Sequence, residues 1–148
     1  MTIPFSGPFN PGHYAGRISS QHLDIPYTYY NFNDSPFQFL FHLTSVEISY
    51  FYTGMQSKAG QQFYILNFRV DNQSGVYVVP GYGYVYVRLV INGNLRTPVD
   101  STLPNAFNAN ARNVAGQVVF ACPSGLSNIT IAMLQQNGEP IQKTDVPL

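Results

Sequence analysis

The stretch FQFLFHLTSVEISYFY, residues 37–52, carries apolar side chains at every second position: first Phe37, Phe39, Phe41 and Leu43, then Val46, Ile48, Tyr50 and Tyr52. A period of two is that of a β-strand, whose successive side chains point to opposite faces. The parity changes at Thr44-Ser45. A single straight strand would turn the second set onto the wrong face, so the change means a β-bulge, a bend or two separate strands.

The same period recurs on both sides of this segment. QQFYILNFRVD (61–71) sets Tyr64, Leu66, Phe68 and Val70 on one face and Asn67, Arg69 and Asp71 on the other, and the turn NQSG closes it. VYVVPGYG breaks at Pro80-Gly81, after which GYGYVYVRLV (81–90) predicts a strand with Tyr82, Tyr84 and Tyr86 on one face and Val85, Val87 and Leu89 on the other. Asn92-Gly93 is a type I′ hairpin signal that returns LRTPV antiparallel. Beyond the Asn-rich loop DSTLPNAFNANARN come GQVVFACP and NITIAMLQ, and Asn137-Gly138 marks a second hairpin into EPIQKTDVPL, where Pro140 and Pro147 select an edge strand. Helical spacing is limited to a turn or two near LPNAFNANAR. Seven to nine short strands with regular turns predict an all-β fold, an antiparallel β-sandwich.

Residues 1–36 have a different texture. Pro4, Pro8, Pro11, Pro26 and Pro36 remove backbone donors and disfavour helix and central strand, so this segment reads as an extended N-terminal arm ahead of a sandwich domain at 37–148. Ile18 to Ile25 suits a short edge strand within it. Phe5, Phe9 and Tyr14, and then Tyr27, Tyr29 and Tyr30 of YTYYNF, need a surface to lie against.

The 148 residues suit one domain with a core of its own. Lys and Arg number seven and Asp and Glu seven, so charged residues make up 9% of the chain against about 25% in an ordinary soluble domain. Asn and Gln, 23 together, carry the polar surface instead. With little like-charge repulsion, copies are weakly dispersed and association is favoured. The scattered basic residues argue against a nucleic-acid partner. No apolar run reaches the roughly 20 residues of a membrane-spanning helix. MTIPFSGPFNPG lacks the charged and apolar regions of a secretory leader, which leaves any export route open.

Catalytic and cofactor signals are weak. His13, His22 and His42 have no Cys, Asp or Glu at a ligand-like spacing, so no metal site is expected. Glu47, Asp71, Asp100 and Glu139 are isolated in sequence and suggest no acid/base pair. Gly81-x-Gly83 lacks the third glycine and the helix of a dinucleotide site. Cys122, in the apolar run VVFAC, reads as a small buried hydrophobe and excludes an intrachain disulfide. Asn128-Ile129-Thr130 has the form of a glycosylation triplet, although Ile129, Ile131 and Met133 mark it as the start of a buried strand. No cofactor and no enzymatic activity are expected.

Gly60, Phe63, Leu66, Phe68, Val70 and Asn72, followed by Gly116, Val118, Phe120 and Pro123, form a pattern across residues 59–134 that resembles a family of secreted immunoglobulin-like domains typified by mycobacterial secreted antigens. The resemblance implies an immunoglobulin-like sandwich, no known catalytic residues and an extracellular setting.

Three fates are open to the face formed by Tyr82, Tyr84 and Tyr86: cover by another part of the chain, use as a platform for sugar rings, or cover by another copy. Low charge, exposed aromatics and an arm beside weak edge strands favour the last. The expected function is a non-enzymatic structural subunit. It self-assembles through Phe5, Phe9, Tyr14, Tyr27, Tyr29, Tyr30, Tyr82, Tyr84 and Tyr86 into a fibre, a surface or spore appendage or a virion component. The alternative is a monomeric binding module for carbohydrate or a surface protein.

Overall fold

Thr44 is the extra residue of a β-bulge. Strand β2 (Pro36–Ser49) runs through it without a break, pairing Leu43 with Phe68 of β5 (Gln61–Asn72) and Ser45 with Asn67. Thr44 and Ser45 therefore share the outer face, and Val46 and Ile48 return to the core in phase with Phe39 and Phe41. Of the three outcomes left open by the parity change, the bulge is the one adopted.

The computed structural model describes residues 16–31, 33–135 and 140–148. The remaining elements, in chain order, are β1 (Arg17–Tyr30), β3 (Phe51–Tyr52), β4 (Met55–Gln56), a helical turn α1 (Gly83–Tyr86), β6 (Val87–Ile91), β7 (Asn94–Arg96), β8 (Asp100–Ser101), β9 (Val114–Pro123), β10 (Asn128–Leu134) and β11 (Pro140–Pro147). One sheet has the order β1-β2-β5-β9-β8, the other β11-β10-β6-β7, and β3-β4 is a separate hairpin. All the pairings are antiparallel. The inner faces of the two large sheets share one apolar core, which makes the fold an all-β sandwich.

The short edge strand expected within the arm is longer than its sequence cue. β1 pairs with β2 from Arg17↔Ile48 to Tyr30↔Pro36 and carries its own bulge, Gln21 and His22 lying opposite Thr44. Residues 17–30 are thus built into the larger sheet. Pro26 is accommodated because β1 lies at the sheet edge. Residues 1–15, with Phe5, Phe9, His13 and Tyr14, lie outside the described residues, as do Asn137, Gly138 and Glu139. The strands that flank that second hairpin, β10 and β11, pair antiparallel, with β11 at the edge.

At the first hairpin Asn92 (φ 52°) and Gly93 (φ 79°) both adopt the left-handed backbone of a type I′ turn, and Ile91 pairs with Asn94. The tyrosine segment departs from the sequence reading. Gly81 turns the chain at φ 97°, and residues 83–86 form one helical turn in place of a strand. Gly83 and Tyr86, three residues apart, face inward together, while Tyr82 and Tyr84 stay outside. A Cβ at Gly83 would crowd Ser101 Oγ and come within 3.0 Å of Leu103 Cδ1, so the close approach of the turn to β8 needs glycine here. No helix forms at LPNAFNANAR. Phe107 instead exchanges backbone hydrogen bonds with Val78, at 3.0 and 2.9 Å, and its ring packs edge-on to Phe39 at 5.3 Å.

Candidate functional site

Of the nine residues nominated from sequence, two are core. Tyr27 and Tyr86 are buried and stacked on one another, ring centroids 5.1 Å apart and planes 12° apart. The Tyr27 hydroxyl donates to Leu134 O at 2.9 Å, which ties β1 to the opposite sheet. Burial pushes both phenols well above their ordinary 10.0. The nearest cover for this part of the tyrosine face is the chain's own β1, because a helical turn rotates Tyr86 away from Tyr84 whereas a strand would have kept the two on one side.

Among the described residues, Tyr30, Tyr82 and Tyr84 are the nominated rings that lie at the surface. Tyr82 and Tyr84 are 46% and 44% exposed, with centroids 5.8 Å apart and planes at 26°. Tyr77, 63% exposed and passed over by the sequence reading, belongs with them. Among the described residues, six of the twelve well-exposed large hydrophobic side chains fall in one loop: Val76, Tyr77, Val79, Tyr82, Tyr84 and Val85. Such clustering is informative where scattered exposed hydrophobics are not. The VYVV run before Pro80 has no polar alternation, and that was the available signal. The loop is held by the Val78–Phe107 bridge, by Gly81 N–H donating to Asn105 O (3.2 Å) and by Asn72 Nδ2 donating to Val76 O (3.0 Å). A shallow groove of about 170 Å³ joins it to β1, with Tyr29, Pro80, Val85 and Arg88 in its lining. Tyr29 packs against Phe37 at 6.5 Å, and Tyr30 is exposed at the end of β1.

β1 itself is an open edge: no strand lies on its outer side among the described residues. An open edge presents unpaired backbone donors and acceptors to a partner chain. Its devices against pairing are a bulge, Pro26 and the charges of Arg17 and Asp24. Gln21 Nε2 donates to Pro147 O at 2.7 Å, bracing β1 against β11 across the end of the sandwich.

The outer face of the larger sheet is polar around the bulge. Asn67 Nδ2 donates to Ser45 Oγ and to Glu47 Oε2, both at 2.9 Å, and Asn67 Oδ1 accepts from Gln117 Nε2 at 2.8 Å. The β3-β4 hairpin folds over the adjoining apolar strip, where Tyr52 packs with Phe63, Ile65 and Val119 and donates to Asp100 Oδ2 at 2.6 Å. Burial, with the bond to Asp100, pushes the Tyr52 phenol up to about 12.

Of the acidic groups that look isolated in sequence, Asp71 meets His42, and Asp24, not singled out there, joins it. Its Nδ1 lies 2.6 Å from Asp24 Oδ1 and its Nε2 2.9 Å from Asp71 Oδ2. The hydrogen bonds to Asp71 and then to Asp24 hold the imidazole above its ordinary 6.5, against the opposing effect of burial. Burial alone would raise Asp71, but the bonds from His42 and from Asn113 N–H, with the charges of His42 and Arg112, hold its carboxyl below the ordinary 3.8. Both ring nitrogens are occupied by carboxylates, so His42 has no free nitrogen to accept a proton from a substrate. His22 stands exposed on β1. Among the described residues no group of three or more His, Cys, Asp or Glu side chains could hold a metal ion, and no helix is long and apolar enough to cross a membrane. Cys122 is buried in the core, and burial pushes its thiol up to about 11, away from nucleophilic use.

Comparison with family models, with curated proteins and with solved structures returns no match.

Proposed function

We propose that this chain is a non-enzymatic structural subunit that associates with further copies of itself into a fibre, a surface or spore appendage or a virion component outside the cell. It does so by strand addition at β1 and by burial of the aromatic loop at 76–85. The observation that carries the reading is the continuity of the two surfaces. The fourteen-residue edge strand β1 ends at Tyr29 and Tyr30, and Tyr29 lines the same groove as Val85 of the exposed loop. The three exposed tyrosines offer on the order of 300 Å², short of the roughly 800 Å² per partner of a standard interface. A paired edge supplies the remainder, with backbone hydrogen bonds for affinity and side-chain grooves for register. In this reading the donor is residues 1–15 of a neighbour, which seats Phe5, Phe9 and Tyr14, and a head-to-tail transfer generates a filament or a closed ring. An immunoglobulin-like arrangement of the strands belongs to the same proposal and is supported by two antiparallel sheets around one core.

Light scattering and negative-stain microscopy test it on three proteins: the full chain, a version lacking residues 1–15, and Ile18→Lys. Ile18 is exposed, so lysine there charges the edge strand without touching the core. Assembly of the full chain, lost in both variants, is expected. A uniform monomer at high concentration refutes the reading, and assembly that survives the deletion removes residues 1–15 from it. One observation favours a second reading, a binding module for carbohydrate: the near-parallel, exposed pair of Tyr82 and Tyr84 is a flat surface of the kind on which sugar rings stack. Glycan binding by the monomer, abolished by Tyr84→Ser, would support that reading.

A further inference from the structure

β1, β2 and β5 lie side by side; on their outer faces Asp24 stands directly across from His42, and Asp71, which pairs with Leu40, meets it diagonally. A carboxylate only accepts hydrogen bonds, so a histidine that bonds one through each nitrogen donates from both and is an imidazolium. Its two partners differ. Asp71 is held in place: its side chain is 14% exposed, and its second oxygen accepts from Asn113 N–H at 2.8 Å. Asp24 is 64% exposed and has His42 as its hydrogen-bond partner. When the imidazolium gives one proton to solvent, a single N–H remains and one nitrogen turns a lone pair toward a carboxylate. The bond that survives is the one to fixed, shielded Asp71, and the one surrendered is the bond to Asp24. Asp24 stands on the edge strand.

We infer that Asp24, His42 and Asp71 form a proton-operated latch on β1: protonated His42 fastens the edge strand to the sheet, and neutral His42 releases it. The other charged or titratable groups on these three strands are Arg17, His22, Tyr27, Tyr29 and Tyr30 on β1, Glu47 on β2, and Tyr64 and Arg69 on β5, Arg69 standing directly across from His42, while Arg112 lies ahead of β9. The hydrogen bonds and charges of the two carboxylates, set against burial, are what act on the imidazole, and Arg112 acts on Asp71. His42 is held above its ordinary 6.5, so the latch is complete below that pH and is lost as pH rises through the raised value. Asp71 is held below its ordinary 3.8, so its share is present above that pH and lost as pH falls through the depressed value. The closed window lies between. Taken with the reading of β1 as the association edge, the latch makes assembly strongest at mildly acidic pH, where the docking strand is pre-ordered.

Hydrogen exchange of the β1 amides, read by mass spectrometry on the full chain at pH 5.5 and pH 9 and corrected for intrinsic rates, tests it beside Asp24→Asn and His42→Gln. Wild-type β1 protection is expected to fall about two- to fivefold at the higher pH, the range of a partly exposed ion pair. In Asp24→Asn, whose amide can accept from or donate to either form of the ring, the pH dependence disappears while the protection of β5 and β9 is unchanged. A nitrogen-15 titration of the ring should show both nitrogens protonated at pH 5.5 and loss of the Nδ1 proton first. PH-independent β1 exchange in the wild type, or a pH dependence that Asp24→Asn retains, overturns the latch. Light scattering across the same pH range separates the two readings: a working latch in a protein that never assembles refutes the association and leaves the latch standing.

Discussion

Replacing Tyr86 with phenylalanine should stabilise this protein. The side chain is buried at the centre of the sandwich, stacked on Tyr27 at 5.1 Å and edge-on to Phe41 at 6.0 Å, and its hydroxyl has no hydrogen-bond partner among the described residues. A buried polar group without a partner costs about 1–3 kcal/mol, whereas the ring contacts depend on the six-membered ring that phenylalanine keeps. Allowing for a small void at the lost oxygen, we expect Tyr86→Phe to gain about 1 kcal/mol, which for a domain of this size raises Tm by about 2–4 °C. Tyr64 is the internal control. Its hydroxyl donates to Pro123 O at 2.8 Å and accepts from Leu126 N–H at 3.3 Å, so Tyr64→Phe removes two partners and should lose about 1–2 kcal/mol. Thermal and urea unfolding followed by circular dichroism read both variants, with an unchanged denaturant slope as the check that the folded and unfolded states are comparable. The Tyr86→Phe gain should not depend on protein concentration, since the residue lies inside one molecule. A loss of 1 kcal/mol or more in that variant, or a gain that appears only at high concentration, would refute the reasoning.

Asn72 lies buried at the end of β5 and donates from Nδ2 to Val76 O, Phe107 O and Asn108 O while accepting from Ser74 N–H, so Asn72→Ala should cost about 2–4 kcal/mol and open the loop at 73–78 to proteolysis. A cost below 1 kcal/mol would mean that the loop holds itself. At Gly116 a Cβ would sit 2.9 Å from Leu103 Cα, backbone that cannot rotate aside, and Gly116→Ala should cost about 1–3 kcal/mol in urea unfolding; a neutral result would show that the segment at Leu103 shifts freely.

The parts of the fold that local chemistry determines were legible in the sequence. The parity change in β2 could only be absorbed by a bulge, a bend or a break. Asn92-Gly93 carried the positive φ values its hairpin needs, and Pro140 and Pro147 belong to a strand with a free side. The tyrosine run was ambiguous in principle: over four residues, a period of two and an inward pair at i and i+3 predict the same composition, and the contacts of Gly83 with β8 and of Tyr86 with Tyr27 decided between them. The same cue explains the arm. Proline is tolerated at a sheet edge for the reason it is avoided at a sheet centre, so Pro26 suited an extended tail and an edge strand equally well. The meeting at His42 could not be read locally. Its partners stand 18 and 29 residues away, and only the register of three strands, including the β1 bulge, brings Asp24 opposite His42.

Scarcity of charge understates how little of it is free. Arg17, Arg88, Arg96 and Arg112 each donate to backbone carbonyls of this chain. Asp24 and Asp71 bind His42, Glu47 binds Asn67, Asp100 binds Tyr52 and Asp145 accepts from Thr130. Among the described residues that leaves Asp34, Lys58, Arg69 and Lys143 without a side-chain hydrogen bond, two loop residues and two strand residues that do not flank the 76–85 loop in sequence. A guanidinium bonded to a neutral carbonyl keeps its charge, but its position is fixed, so it cannot swing over a neighbouring apolar surface. Beside Tyr84 stands the charge of Arg88, pinned to Tyr84 O and Val87 O, and the rings around it are ones that water solvates poorly. On the proposed reading of β1 as an association edge, the proposed latch at Asp24 makes assembly answer to the protonation of one histidine on that edge and not to the net charge of the chain.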